Sequence, residues 1–153
     1  MESKRCFFIG HRDAPITILS ELEAVIEKHI VEYGVKEFIV GRYGNFDYMV
    51  NEVLIRLKLR HPSIVLLLLL PYHPAERPIV MPEGFDATYY PPGMERVPRR
   101  YAIVHANKYV LDHSDYLIAY AWHPASNAIE LLEHARVREK AGLITVSMLS
   151  SSI

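Results

Sequence analysis

The stretch FIVGRYGNFDYMVNEVL, residues 38–54, joins a short apolar run to a helical pattern through two closely spaced glycines. Apolar residues from Phe46 onward recur at spacings of three and four, which is typical of an amphipathic helix. Glycine weakens both strands and helices, so Gly41 and Gly44 indicate that some group closely approaches the backbone at this junction. The stretch therefore predicts a buried strand, a tight turn and a helix, with a candidate site at the turn.

The same strand-and-helix unit recurs along the chain. Five short apolar runs are candidate strands, at residues 4–9, 37–41, 63–70, 115–121 and 143–149. Helical patterns lie at 19–33, 45–57, 99–112 and 127–141, and Asn45 is the expected N-cap of the second helix. The strands lack strict alternation, which is typical of parallel strands covered on both faces. We therefore predict an α/β fold, a doubly wound parallel sheet with strand order 3-2-1-4-5.

One proline-rich segment, residues 71–98, is longer than the connections that are usual in such folds. It holds seven of the ten prolines, whereas ordinary connections have about 2–6 residues. We expect it to lie outside the sheet, either as a surface excursion with a short strand at 79–81 or as a lid. Aromatic side chains can cover a flat ligand and favour the lid; they are Tyr72, Phe85, Tyr89 and Tyr90.

The composition of the chain fits one compact domain over residues 1–153. Hydrophobic residues make up 50% of the chain and charged residues 23%. A net charge of −1 provides no global field that would attract nucleic acid, so we do not expect a nucleic-acid partner. The single cysteine, Cys6, cannot form an internal disulfide, and the apolar run at 64–70 is too short to span a membrane. We expect a cytoplasmic protein without a membrane partner.

Polar turns follow four of the predicted strands and should meet at one edge of the sheet. They are GHRD (10–13), GRYG (41–44), PYHP (71–74) and WHPASN (122–127). Arg12, Arg42 and one of the two arginines at 99–100 would meet there beside the positive ends of helices. This combination favours a phosphate or another anion, with Tyr43 and Trp122 as further candidate contacts. The alternative for GRYG is a tight turn with a solvent-facing arginine.

Three histidines follow different strands and raise the question of a metal site. They are His11, His73 and His123. The third strand should lie two positions from the first, so His73 would be about 10 Å away at ~4.8 Å per strand, too far for easy shared ligation. We therefore expect no metal and no cofactor, and His11 and His123 are candidates for direct ligand contact.

Several polar residues have both a structural and a functional interpretation. Asn107 interrupts the apolar stripe of its helix, so its amide either ties down a loop or faces a ligand. Asn127 and Glu130 have the spacing of a capping box, but Glu130 could also serve as an acid, a base or an acceptor for ribose hydroxyls. Asp47 and Glu52 are either helix charges exposed to solvent or contacts to a sugar.

Three segments, FFIGHRD (7–13), GRYGNFDYMVNE (41–52) and NKYVLDHSDYLIAYAWHPASNAIELLEHA (107–135), carry a family resemblance. Together they resemble the SLOG superfamily of Rossmann-like proteins, and its YpsA-like branch most closely. The superfamily also includes the DNA-processing protein DprA and the LOG-type cytokinin-activating phosphoribohydrolases. The resemblance implies a Rossmann-like fold that binds a nucleotide or a nucleotide sugar at the carboxyl edge of the sheet.

The resemblance also implies a set of ligand-binding residues. They are Gly10, His11, Arg12, Gly41, Gly44, Asp47, Glu52, Asn107, Asp112, Ser126 and Asn127. LOG-type enzymes carry a PGGxGTxxE motif where this chain has HPASNAIE, so Ser126-Asn127 replaces Gly-Thr while Glu130 keeps the glutamate. Asn107 stands where those enzymes have a catalytic arginine, which favours binding over catalysis.

The sequence supports three functional hypotheses. The first is binding of a nucleotide or a nucleotide-derived, phosphate-bearing ligand, as a sensor or processing protein. The second is cleavage of an N-glycosidic bond, as in phosphoribohydrolases or deoxyribosyltransferases, with Glu130 as the catalytic carboxylate. The third, a DNA-associated module like DprA, is disfavoured by the near-zero net charge. We also expect a homo-oligomer, because the helical segment 48–59 is apolar enough to bury more than one face.

Overall fold

The computed structural model describes residues 3–150, which form one parallel sheet between two layers of helices. The strands are β1 (Arg5–Gly10), β2 (Glu37–Val40), β3 (Val65–Leu69), β4 (Ala87–Tyr89), β5 (Tyr116–Tyr120) and β6 (Thr145–Met148). All neighbouring strands are parallel, in the order β4-β3-β2-β1-β5-β6. The predicted α/β class, with a parallel sheet flanked by helices, is confirmed.

Four α-helices connect these strands within the described residues. They are α1 (Leu19–Val31), α2 (Asn45–Arg60), α3 (Ala102–Asp112) and α4 (Asn127–Lys140), and short 3₁₀ turns occur at Ile16–Ile18, Met94–Arg96 and Arg99–Tyr101. None of the helices within residues 3–150 has the length and apolar character needed to cross a membrane. The predicted N-cap of α2 is wrong by one residue, because Gly44 occupies the cap position and the Asn45 N–H donates to the carbonyl of Arg12 at 2.8 Å.

Successive residues of each buried strand face opposite layers of helices. In β1, Cys6 and Phe8 belong to the core beneath α1 and α2, whereas Phe7 and Ile9 belong to the core beneath α3 and α4. Both faces of the sheet therefore require apolar side chains. This explains why the strands form continuous apolar runs in the sequence and lack alternation.

The prediction for residues 71–98 is wrong in one respect, because this segment contributes a strand. β4 pairs with β3 at the edge of the sheet, with Ala87 opposite Leu67 and Tyr89 opposite Leu69. The predicted five strands in the order 3-2-1-4-5 are therefore corrected to six. The short strand expected at 79–81 is wrong, because residues 79–81 form no strand and the additional strand is Ala87–Tyr89. The residue before β4 anchors it, since the Asp86 carboxylate accepts from the Leu66 N–H at 2.7 Å.

A buried histidine, His29, joins α1 to the start of β5. Its ring is nearly perpendicular to those of Tyr33 and Tyr116, with centroids 5.0 and 5.4 Å away. Its Nδ1–H donates to the carbonyl of Val25 at 2.7 Å, and its buried Nε2 has no hydrogen-bond partner in the part of the chain that the structure describes. Burial lowers the pKa of His29 below its ordinary value, an effect that the Val25 carbonyl opposes and Lys28 reinforces.

We expect His29 to make the fold less stable in mild acid. Because the folded-state pKa is lowered, the unfolded chain takes up a proton at a higher pH than the folded protein does. The stability that neutral His29 contributes above the ordinary histidine pKa of ~6.5 is therefore lost as the pH falls. The free energy of unfolding should decrease by at most about 1.4 kcal/mol per pH unit. Urea titrations from about pH 7.5 to about pH 5 test this against His29→Phe, which keeps an aromatic ring at this position and removes the titrating group. Equal pH slopes for the two proteins would contradict it.

Candidate functional site

A cavity of about 330 Å³ opens at the carboxyl edge of the sheet. It lies at the ends of β1 and β3, and α3, α4 and the turn after β2 complete its walls. Its volume is at the lower end of the ~300–1,000 Å³ typical of small-molecule sites. We refer to this space as the edge cavity.

Ten of the candidate residues from the sequence line the edge cavity. They are Gly10, His11, Arg12, Gly41, Tyr43, Asp47, Asn107, His123, Ser126 and Asn127. The other six, which do not line it, are Arg42, Gly44, Glu52, Asp112, Trp122 and Glu130. Asp112, at the far end of α3, instead accepts a hydrogen bond from His134 of α4 at 2.7 Å. The edge cavity thus contains residues from all four turns that the sequence placed at this edge, although the turn after β3 contributes only Pro71.

The turn after β2 is held by side chains of α2. The Asp47 carboxylate accepts from the Tyr43 N–H at 3.0 Å, and the Asn51 amide donates to the carbonyl of Gly41 at 3.1 Å. A Cβ at Gly41 would lie 2.9 Å from the Asp47 carboxylate. The sequence indicated that some group closely approaches the backbone of this turn. At Gly41 that group is the Asp47 side chain, which belongs to the chain itself.

Gly44 makes room for the loop that follows β1. Its φ of 109° and ψ of 174° belong to a region of backbone conformation that is essentially restricted to glycine. A Cβ at Gly44 would lie 2.6 Å from the Cα of Arg12. Arg12 thus occupies the space beside Gly44, and the turns GHRD and GRYG pack directly against each other.

Gly10 ends β1 against the ring of Phe46, in the first turn of α2. A Cβ at Gly10 would overlap this ring. Phe46 is fully buried and stacks on Tyr120 at the end of β5, with centroids 6.5 Å apart. The glycine of the GHRD turn is therefore explained by the packing of α2 on the strand ends.

His11 joins the loop after β1 to the loop after β5. Its Nε2 accepts from the backbone N–H groups of Trp122 at 2.6 Å and His123 at 3.1 Å. Because both partners are amide donors, Nε2 must carry a lone pair, and the neutral ring holds its proton on Nδ1. Burial lowers the pKa of His11, nearby His123 lowers it further, and Asp13 opposes both effects.

Helix α4 begins beside the edge cavity with Ser126 as its N-cap. The Ser126 hydroxyl accepts from the Ile129 N–H at 3.2 Å and donates to the carbonyl of His123 at 2.8 Å. This corrects the predicted capping box from Asn127 to Glu130, because the cap lies one residue earlier and leaves Glu130 exposed. The N–H groups of Asn127 and Ala128 have no hydrogen-bond partner within residues 3–150, and both residues line the cavity.

Asp47 supplies a carboxyl group to the edge cavity. Burial raises the pKa of Asp47 to about 6, although the Tyr43 N–H and the Arg12 guanidinium oppose this shift. A carboxyl with a pKa in this range can exchange a proton near neutral pH, as a general acid or base does.

The expected cluster of arginines does not form around the edge cavity. Arg12 is the only Arg or Lys among the described residues that line it. Arg42 is exposed outside it, Arg99 pairs with Glu76, and Arg100 stacks on Tyr101. The separation has a simple cause: Arg99 and Arg100 lie in the turn before α3, a different part of the edge from the loop after β1.

The aromatic residues of the segment 71–98 do not cover the edge cavity. Phe85 is buried in the core beneath α1 and α2, and Tyr72, Tyr89 and Tyr90 pack against the cores. Tyr72 and Tyr90 border a second cavity of about 410 Å³, as do His73 and Arg99. The segment therefore builds a separate surface instead of the expected cover.

Sequence reasoning missed two features of the edge cavity. One is Asp13, which lines it directly after Arg12. The other is an apolar wall, formed by Ile9, Leu69, Pro71, Ile103, Val104 and Leu131 among others. Leu69 and Ile9 belong to buried strands, and nothing in an apolar run marks the residues that border a cavity. Asp13, by contrast, belongs to the GHRD turn, so its place after the first strand is a signal that the sequence contains.

No group of three or more His, Cys, Asp or Glu side chains within residues 3–150 is arranged to hold a metal ion. The rings of His11 and His123 are neighbours, with centroids 4.4 Å apart, whereas His73 borders the other cavity.

Compared with known proteins, the chain matches no protein-family model and no curated protein sequence.

Proposed function

We propose that the protein is a cytoplasmic sensor or processing protein of the SLOG superfamily, and that its edge cavity binds a nucleotide or nucleotide-derived, phosphate-bearing ligand. The observation that carries the proposal is the combination of an apolar wall with unpaired N–H groups and one arginine in a single cavity. A base can pack on the apolar wall, and a phosphate can accept hydrogen bonds from a helix start and a guanidinium.

The start of α4 offers backbone donors for a phosphate, whereas several donors of the neighbouring loops are already bonded within the chain. In the GRYG region, the Tyr43 N–H is bonded to Asp47 and the Asn45 N–H to Arg12. In the loop after β5, the N–H groups of Trp122 and His123 are both bonded to His11. The amides of Asn127 and Ala128 remain unpaired at the positive end of a 14-residue helix.

We expect Arg12→Ala to weaken binding by about ten-fold or more. Charge-assisted hydrogen bonds contribute roughly 1.5–3 kcal/mol each, and ~1.4 kcal/mol corresponds to a factor of ten. Arg42→Ala is the matched control, because Arg42 is a neighbouring arginine outside the cavity lining. Calorimetry with a panel of nucleoside mono- and diphosphates measures both variants. If Arg42→Ala alone weakened binding, the anion would belong to the GRYG turn.

The ligand itself can be identified from the purified protein. Extraction under denaturing conditions, followed by mass spectrometry, reports any small molecule that co-purifies. A phosphate-bearing nucleotide derivative would support the proposal. A ligand without phosphate or any other anionic group would contradict it.

Asp47 favours a second candidate function, the cleavage of an N-glycosidic bond. Its carboxyl lines the edge cavity with a pKa raised to about 6 by burial, which suits a group that protonates a leaving base. Glu130, the carboxylate that the family resemblance suggested, is exposed outside the cavity.

If the protein is such an enzyme, Asp47→Asn should abolish release of free base, whereas Glu130→Gln should leave it within about two-fold of the wild type. General acid–base catalysis typically contributes about 10²–10⁴-fold. Chromatography of free base after incubation with nucleoside monophosphates measures both, and thermal melting shows whether each variant is folded. Loss of turnover in Glu130→Gln alone would restore Glu130 as the catalytic carboxylate.

We also propose that copies of the chain associate into a homo-oligomer. The inner face of α2 is used by the core, and two large apolar side chains remain on its outer surface. Tyr48 and Leu59 are 66% and 82% exposed, which is consistent with a helical contact between copies of the chain.

A further inference from the structure

We propose that His11, in its neutral form, is a positioning residue that holds the loop at residues 121–126, and that protonation of His11 releases this loop. The loop leads into the start of α4, so the inference rests on the proposed function for its consequence in ligand binding. The hydrogen bonds of His11 themselves, and their measurement, do not involve a ligand.

The first observation is that one ring nitrogen accepts from two successive amides. Nε2 of His11 lies 2.6 Å from the Trp122 nitrogen and 3.1 Å from the His123 nitrogen. A protonated imidazole has no acceptor, because both of its nitrogens then carry hydrogen. Protonation would therefore break both bonds and place an N–H group against two other N–H groups.

The second observation is an unbroken series of hydrogen bonds from His11 to helix α4. The carbonyl of His123 accepts from the Ser126 N–H at 3.2 Å and from the Ser126 hydroxyl at 2.8 Å. The same hydroxyl accepts from the Ile129 N–H at 3.2 Å and so caps the helix. His123, whose N–H is bonded to His11, is thus also the residue whose carbonyl holds the Ser126 cap.

The charged and titratable groups around His11 determine the direction of the effect. The His123 ring lies 4.4 Å away and Tyr120 lies 5.7 Å away, between ring centroids, and Asp13 follows in the same loop. Arg12 and Asp47 line the same cavity. His123 and burial lower the pKa of His11, and Asp13 opposes them. The release is therefore expected below the ordinary histidine pKa of ~6.5.

Nuclear magnetic resonance of the ¹⁵N-labelled full chain tests the inference. Imidazole nitrogen shifts at about pH 7.5 should show His11 with its proton on Nδ1, and amide exchange reports the bonds of Trp122 and His123. On lowering the pH through the His11 transition, protection of both amides should fall by about ten-fold, the loss expected for one hydrogen bond each at ~1.4 kcal/mol.

Two variants of His11 separate its acceptor from its ring. Gln carries an amide oxygen at a reach similar to that of Nε2 and does not titrate, whereas Asn is also neutral but shorter. His11→Gln should keep the two amides protected at every pH, and His11→Asn should leave them unprotected even at about pH 7.5. The rest of the spectrum shows whether either variant is folded.

A third variant, His123→Gln, removes the neighbouring imidazole and keeps His11. Because His123 lowers the pKa of His11, the transition should persist and move to higher pH. The inference would be overturned by a His11 ring with its proton on Nε2, by an acid transition that persists in His11→Gln, or by one that disappears in His123→Gln. Failure of any nucleotide to bind would leave these results unchanged, so the two proposals fail separately.

Discussion

The Gly44→Ala variant is expected to lose about 3 kcal/mol or more of unfolding free energy. The backbone conformation of Gly44 is essentially restricted to glycine, and placing any other residue in it costs of order 1–3 kcal/mol. The added Cβ would also lie 2.6 Å from the Cα of Arg12, and Cα belongs to a backbone that cannot rotate away. Forcing atoms into a packed site adds roughly 1–3 kcal/mol.

Gly34→Ala is the matched control for this prediction. Gly34 also has a positive φ, of 69°, but a Cβ there would meet nothing within 4 Å. It therefore bears only the cost of the left-handed conformation, about 1–2 kcal/mol. Urea denaturation of both variants measures the difference. Equal losses would mean that the contact between the GRYG and GHRD turns relaxes at no cost.

Phe46→Ala is expected to destabilise the fold by about 3–5 kcal/mol, the usual cost of removing a buried phenylalanine. Gly10→Ala should cost about 1–3 kcal/mol, because its Cβ overlaps the Phe46 ring. The double variant should lose less unfolding free energy than the two single variants together, because the methyl group at position 10 then enters the space that the ring has left. A coupling of about 0.5–3 kcal/mol is expected for residues in contact.

The double-mutant cycle is measured by urea denaturation of the four proteins. Far-ultraviolet circular dichroism shows whether each variant keeps its helices and sheet. Additive losses would show that Gly10 is present for a reason other than the ring of Phe46. The result bears on the proposed function as well, because Gly10 lines the edge cavity.

The strands that the sequence predicted well are those whose two faces are both buried. Such strands have a continuous apolar run, as in CFFI at 6–9 and LLLLL at 66–70, because each face contacts a separate core. β4 lacks this signal: Ala87 and Thr88 are exposed, and the strand has one neighbour. Its position depends on Phe85 in the core and on the Asp86 carboxylate at the Leu66 N–H. These are long-range contacts that no local pattern contains.

The candidate site was predictable in its location but not in its donors. Topology places the turns after parallel strands at one edge, so His11, Gly41 and Asn127 could be grouped from the sequence. Which N–H groups are already bonded depends on contacts across the fold, such as His11 with Trp122 over 111 positions. The helix cap was misplaced for a related reason, because Ser126 and Asn127 are both good N-cap residues and adjacent.

Side chains of α2 pack against two glycines, Gly10 and Gly41, on one side of the edge cavity. On the side of β1 and β2, Gly10 and Gly41 meet side chains that the fold itself requires. On the side of α3, Val104 is 40% exposed and Asn107 forms no side-chain hydrogen bond within residues 3–150. Substitutions of Val104 and Asn107 should therefore cost the fold little, whereas substitutions on the side of β1 and β2 should cost it more. Diversification within such a fold, by natural variation or by engineering, should begin on α3.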